Sequence, residues 1–384
     1  MDNQEATATI MAENVTTISS VTATGKSEMI LFTQQSATAY NSSCPWPEEW
    51  NWLLQIQPIF LWLLAVVGIV ENMFVLSILC LHKSRCTVAE VYLANLAMGD
   101  LLLLSGLPFW ALYIDNNFNW PFGLTFCKVI NTILYMNLYT SIYFLVMVSI
   151  DRYLALVKTM SLGRLRRPWC AKLNCLIIWI SALLLCTPVL MFRSLAYMAD
   201  SNTTVCILDY PSLDVWIILT NTLLNTVGFL MPLCVITFCT IQIIQALRNS
   251  DIQKIKTFQR EKRATILIFV VLLLFIVCWL PFQLTTFLAT LHQIKVFSGC
   301  PAEQAIDVAS QIATYCSFSN SCLNPIVYVI VGKHFRRKSK EVYSNMFLRR
   351  RSKSPSVQMG TTMETLRMSF SVEQQRKKSA VNVL

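Results

Sequence analysis

Charged residues are scarce in this chain. Of its 384 residues only 14% are Asp, Glu, Lys or Arg, while 55% are hydrophobic. Soluble domains carry about 25% charged residues. A soluble fold built from this composition would lack polar surface to cover itself. Histidine is scarcer still: His82, His292 and His334 are the only three, and all lie outside the long apolar runs. An enzyme working inside a membrane would need a nucleophile beside a base, or metal ligands, within those runs. That class is excluded, and no cofactor or metal is implied. The opening MDNQEATATIMAENVTT has neither a basic start nor an apolar core, so it does not read as a signal peptide. The first apolar run must then carry its own insertion signal. No internal repeat or inverted pair of half-bundles stands out, and the polar residues form no continuous path. A transporter or channel, the non-receptor alternative, needs one or the other.

What the chain does have is long apolar runs. Crossing roughly 30 Å of hydrocarbon takes about 20 helical residues. Seven runs qualify, near 55–81, 88–114, 124–156, 169–192, 213–247, 264–291 and 305–331. The expected fold is an all-α membrane protein, a bundle of seven transmembrane helices. Lys and Arg in the loops set its orientation. They gather after the first run (Lys83, Arg85), the third (Lys158, Arg164, Arg166, Arg167, Lys172), the fifth (Lys254, Lys256, Arg260, Lys262, Arg263) and the seventh (Lys333, Arg336, Arg337, Lys338). The first 54 residues hold Lys26 alone against six acids. The N-terminus is therefore expected outside and the C-terminus inside. The net charge of +10 follows from this topology and calls for no nucleic-acid partner.

Two further features agree. The glycosylation sequons at Asn14, Asn41 and Asn202 all fall on the expected outside. So do four of the fourteen cysteines, Cys44, Cys127, Cys206 and Cys300. An even number in an oxidising compartment suggests two disulfides. Residues 1–54 read as a glycosylated outer tail and 55–331 as the bundle. Residues 332–348 carry Phe335, Val342, Tyr343, Met346 and Phe347 on one face and bases on the other. That pattern suits an amphipathic helix lying on membrane lipid. Residues 349–384 are basic, rich in Ser and Thr, and read as a disordered inner tail.

Asp100 sits in the middle of a span, in NLAMGDLLLL. A charge there is costly and points to function. Asn72, Asn137, Ser141, Asn320, Ser321 and Asn324 lie at matching depth and can form a polar core with it. SIDRYLALV ends the third run. Arg152 follows Cys127 by 25 residues, about 37 Å of helix, so it belongs at the inner mouth. Glu261 precedes Pro281 by 20 residues, about 30 Å, and can approach Arg152 there. Proline removes a backbone donor and kinks a helix. Pro108, Pro188, Pro232, Pro281 and Pro325 all fall within spans, which simple anchoring does not explain.

The order Asn72, Asp100, Cys127, Asp151-Arg152-Tyr153, Trp179, Pro232, CWLP at 278–281 and NPIVY at 324–328 resembles the rhodopsin-like G-protein-coupled receptors. SRCTVAEVYLANLAMGDL, VSIDRYLALVKTMS, CWLPFQLTTFLATLH and NSCLNPIVYVIVGKHFR resemble the bradykinin receptors, nearest to their constitutive second type. An angiotensin-like peptide receptor is the runner-up. The resemblance implies a cell-surface receptor in the plasma membrane for a secreted basic kinin peptide. It implies coupling to Gq-type G proteins, phospholipase C and calcium release, with shut-off by receptor kinases and arrestin. It pairs Cys127 with Cys206 and Cys44 with Cys300. Trp279 becomes the pivot beside Pro281, and Asp100, Asn137, Ser141, Asn320, Asn324, Pro325 and Tyr328 the activation core. Asp151, Arg152, Tyr153 and Glu261 become the G-protein end.

A kinin carries arginine at each end, so acids are expected at the outer mouth. Glu303 and Asp307, one helical turn apart, fit. Arg193 can meet the peptide's terminal carboxylate, and Trp110, Phe282, Phe287 and Phe318 can supply apolar walls. The chain departs from the family in three places. Ala289 stands where the family has an acid at the outer end of the sixth span. Thr240 stands where the class has a tyrosine, eight residues after Pro232, which removes a hydroxyl–water bridge to Tyr328. No cysteine follows Cys322, so the tail's usual lipid anchor is absent and the surface helix is expected to dock by its apolar face alone. The amide of Asn137 can fill the place of a sodium ion beside Asp100.

Phosphorylation of Ser and Thr between Ser352 and Ser371 would reverse the tail's charge, each phosphate adding about −1.5 to −2. A chain ended after Arg351 should signal normally but internalise poorly in a surface-loss assay. Normal internalisation would place the shut-off signal elsewhere.

Overall fold

The computed structural model describes residues 49–82, 86–157, 168–199, 201–248, 256–330 and 333–352. Seven long helices cross the bundle. The first three spans are Glu49–Leu81, Val88–Asp115 and Gly123–Leu156. The fourth is Pro168–Leu185, continued after a break by Thr187–Phe192. Pro188 stands in the first turn of that short continuation, where its missing N–H costs nothing. The fifth is Leu213–Asn225, a π-helical turn Thr226–Leu230, and Met231–Arg248. The sixth is Lys256–Gln293, the seventh Cys300–Ile330, and a surface helix follows at Lys333–Ser352.

Six described helices are apolar and long enough to cross a membrane. The seventh has the length, 31 residues, but turns Gln311, Thr314, Ser317, Asn320, Ser321 and Asn324 into the bundle. Its polarity is internal, which is why its apolar run looks weaker. The first span packs closely on the second and seventh at Gly68. A Cβ there would lie 2.7 Å from Cys322 Sγ and from a Leu104 methyl. Only glycine allows that approach.

The chain is not wholly α-helical. The loop between the fourth and fifth spans folds into an antiparallel hairpin of β1, Arg193–Met198, and β2, Thr203–Leu208. Its turn holds Asn202 at φ 53°, and Asn202 is exposed. The β-branched run TTVCIL is what makes a strand competitive here. The hairpin is fixed to the bundle by the Cys127–Cys206 disulfide, with a Cα–Cα distance of 5.8 Å. It is also pinned to the loop between the second and third spans. Trp120 N–H donates to Thr204 O at 2.7 Å, and Thr204 N–H donates to Asn119 Oδ1 at 3.0 Å.

The spans' prolines free backbone carbonyls, and two of these find side-chain donors. Pro325 cannot donate to Ser321 O, and Asn72 Nδ2 donates there instead at 2.9 Å. In the π turn, Met231 N–H reaches Thr226 O, five residues back. The next donor in that register would be Pro232, which has none. Tyr143 of the third span donates its hydroxyl to the orphaned Val227 O at 3.0 Å. Gly228 lets the bulge close in, since a Cβ there would stand 3.0 Å from Leu138 and 3.2 Å from Tyr139.

Tyr143→Phe leaves the Val227 carbonyl without a donor, at a cost of about 1–3 kcal/mol. Thermal unfolding of the purified chain should begin at a visibly lower temperature. An unchanged midpoint would mean the bulge is held by packing alone.

Candidate functional site

Asp100 is fully buried where the second, third and seventh spans meet. Its carboxylate accepts three side-chain hydrogen bonds. Asn137 Nδ2 donates to Oδ1 at 3.2 Å, Ser321 Oγ to Oδ1 at 2.8 Å, and Asn324 Nδ2 to Oδ2 at 3.1 Å. Asn72 joins through the Ser321 carbonyl. The polar core read from the sequence is thus assembled from these five residues. Ser141 and Asn320 are buried beside it but make no hydrogen bond through their side-chain polar atoms. Tyr328 is also buried with its hydroxyl unpartnered, and its ring lies 6.3 Å from that of Phe335.

Toward the hairpin end of the bundle, Trp279 is buried with its indole N–H unpartnered. Phe275 stacks on it with centroids 5.8 Å apart, and Phe282 meets it edge-on at 5.8 Å. Pro281 lies inside the helix between these two turns. The C-terminal part of the sixth helix is tied to the fifth span, where Asn221 Nδ2 donates to Thr290 Oγ1 at 3.0 Å.

Trp110, Phe282 and Phe318 all turn inward and are buried. Phe287 does not. It is 49% exposed, on the outward stripe that also holds Leu273, Val277, Leu280 and Leu284. Helical spacing carries it to the lipid side, so it is no pocket wall. Glu303 and Asp307 stand half-buried in the first two turns of the seventh helix. Arg193 opens β1 and is buried, with Nη1 donating to Cys206 O at 3.3 Å and Nε unpartnered. Burial pulls its guanidinium below its ordinary pKa, and Tyr135, Tyr210 and Tyr113 pull the other way.

At the end of the bundle away from the hairpin, Arg152 pairs with its neighbour Asp151 through both Nε, at 3.1 Å, and Nη2. The Tyr153 ring faces Phe238 of the fifth span at 5.9 Å. Glu261 belongs to the sixth helix, but its side chain lies outside the described residues. Asn14, Asn41 and Cys44 lie outside them too. Cys300 is disulfide-bonded.

The surface helix corrects one expectation. It does pack Phe335 between Phe74 and Tyr328, and Val342 is buried. It also buries a charge: Lys338 Nζ lies 2.6 Å from Glu90 Oε1. His82 Nε2 meets Glu341 Oε2 at 2.8 Å. Docking is therefore ionic as well as apolar. Lys338 sits between Phe335 and Val342 on one helical face, a misfit that the sequence already displayed.

With this geometry in view, comparison places the chain. Residues 71–328 match the family model described as 7 transmembrane receptor (rhodopsin family). The human B2 bradykinin receptor is 56% identical, covering 93% of both chains. The rat B2 bradykinin receptor is 54% identical over 90% of this chain and 89% of its own. The human B1 bradykinin receptor is 40% identical over 80% and 87%. The chain belongs to the bradykinin branch of the rhodopsin-family receptors. It is a multi-pass membrane receptor that couples to G proteins, and not an enzyme. Within that family, this receptor's Asp100 cluster and Arg152 pair occupy the middle of one helix bundle and its end away from the hairpin.

Proposed function

We propose that this receptor recognises a secreted basic kinin peptide at the cell surface. The N-terminus lies outside, and the signal passes inward to a Gq-type G protein, phospholipase C and calcium release. Receptor kinases and arrestin then act on the basic tail. The observation that carries this reading is the 56% identity to a B2 bradykinin receptor across 93% of each chain. The half-buried acids Glu303 and Asp307, one helical turn apart, support it, because carboxyl groups at the peptide-facing mouth suit a cationic peptide. Arg193, at the base of the hairpin, supplies the opposite charge for the peptide's terminal carboxylate.

The mechanism follows from the sixth helix. Pro281 cannot donate to the carbonyl of Val277, so bending there breaks no further backbone hydrogen bond. The outer part of the helix is held by Asn221. A peptide seated above Trp279 favours the conformation in which the inner half swings outward. It shifts the population only as far as it binds that state better. The opened inner mouth then receives the G protein at Arg152.

Asp307→Ala removes one partner of a charge-assisted contact, worth about 1.5–3 kcal/mol, or roughly ten- to a hundredfold in affinity. It should weaken a kinin with a terminal arginine and spare one lacking it. Calcium release, with angiotensin alongside as the control peptide, provides the readout. Equal loss for both kinins, or a response to angiotensin alone, would contradict the assignment.

A further inference from the structure

The contact between Glu90 and Lys338 joins two elements that the sequence leaves 248 residues apart. Glu90 is 8% exposed and Lys338 4%. Glu90 stands in the first turn of the second span and completes a capping box. Its Oε2 accepts the Thr87 backbone N–H at 2.9 Å, while Thr87 Oγ1 accepts the Glu90 N–H at 3.3 Å. Its Oε1 faces the Lys338 ammonium at 2.6 Å. One carboxylate therefore closes the end of the second span and holds the surface helix against it. A buried pair of this kind tolerates poorly the loss of either partner, since the other charge is then stranded. The His82–Glu341 contact is weaker support, because Glu341 is half exposed and surface pairs contribute little.

We infer that Glu90 and Lys338 are positioning residues for G-protein coupling. They form an ionic clasp that sets the surface helix at the inner mouth in a chain whose tail has no cysteine to carry a lipid anchor. The clasp acts through Phe335. Fixing Lys338 one turn further on keeps that ring lodged between Phe74 of the first span and Tyr328 of the seventh. The second span's inner end, the seventh span's inner end and the surface helix then move as one body. The sixth helix opens against that body. This coupling role rests on reading the chain as a kinin-driven receptor.

The two partners can be tested separately. Glu90→Gln keeps the capping box, which glutamine also satisfies, and removes only the charge. Lys338→Met keeps the helix former and the bulk. Each single variant, in the full-length receptor in lipid nanodiscs, should raise hydrogen exchange of amides 335–344 about tenfold. Each should cut maximal bradykinin-driven nucleotide exchange by about half or more while leaving peptide affinity within about threefold. The double variant strands no charge, so its protection should recover toward the unaltered receptor rather than fall by the product of the two effects. Unchanged protection in the single variants, or simple multiplication in the double, would overturn the clasp. Loosened amides with undiminished nucleotide exchange would overturn its role in coupling. If bradykinin drives no exchange in the unaltered receptor, the ligand assignment fails, and the amide measurements still decide whether the clasp exists.

Discussion

The carboxylate of Asp100 is the interaction on which the bundle's interior depends. A charge in the middle of a membrane is tolerated only where the protein surrounds it with donors. Asn137, Ser321 and Asn324 do this from two other spans, and none of the three contacts exceeds 3.2 Å. The same cluster repairs a backbone defect. Asn72 serves the Ser321 carbonyl that Pro325 leaves without a helical donor. The first, second, third and seventh spans are thereby linked through one polar knot. Removing any member would strand a buried partner, which costs more than the bond itself contributes.

The fifth and sixth spans are built differently. In the fifth, the defect at Pro232 is absorbed by a π turn and braced by Tyr143, so that span is held rather than hinged. In the sixth, Pro281 sits between Trp279 and Phe282, and the fixed point is Asn221 on Thr290, on the C-terminal side of the proline. The sixth helix begins in the basic sequence KTFQREKR, N-terminal to the proline. In the proposed mechanism, the polar knot, the braced fifth span and the sixth span fastened at one end act together as a lever that pivots at Pro281.

Much of this was legible in the sequence. Apolar length set the seven spans, and depth along the chain gathered Asp100 with Asn72, Asn137, Ser321 and Asn324. Cys127 and Cys206 pair as the family resemblance implied. What escaped has physical causes. The hairpin at 193–208 has strands of only six residues each, and its strand character shows only against the loop that receives it. Phe287 was placed in the pocket by residue type, whereas its helical phase puts it in lipid. Lys338 was grouped with the solvent-facing bases, although its spacing from Phe335 and Val342 sets it on the buried face. Its partner, Glu90, belongs to the capping-box pattern Thr87-x-x-Glu90, which marks a helix start and gives no hint of a distant lysine.

The central claim is that peptide binding is converted into G-protein activation by bending at Pro281. The most direct measurement compares the native receptor with Pro281→Ala, which restores a donor to the Val277 carbonyl and stiffens the sixth helix. Surface expression and kinin affinity should largely survive. The maximal rate of agonist-driven nucleotide exchange on the G protein should fall. A variant that reaches the surface, binds the peptide and reaches an undiminished maximum would contradict the hinge, and the kink would then serve packing alone.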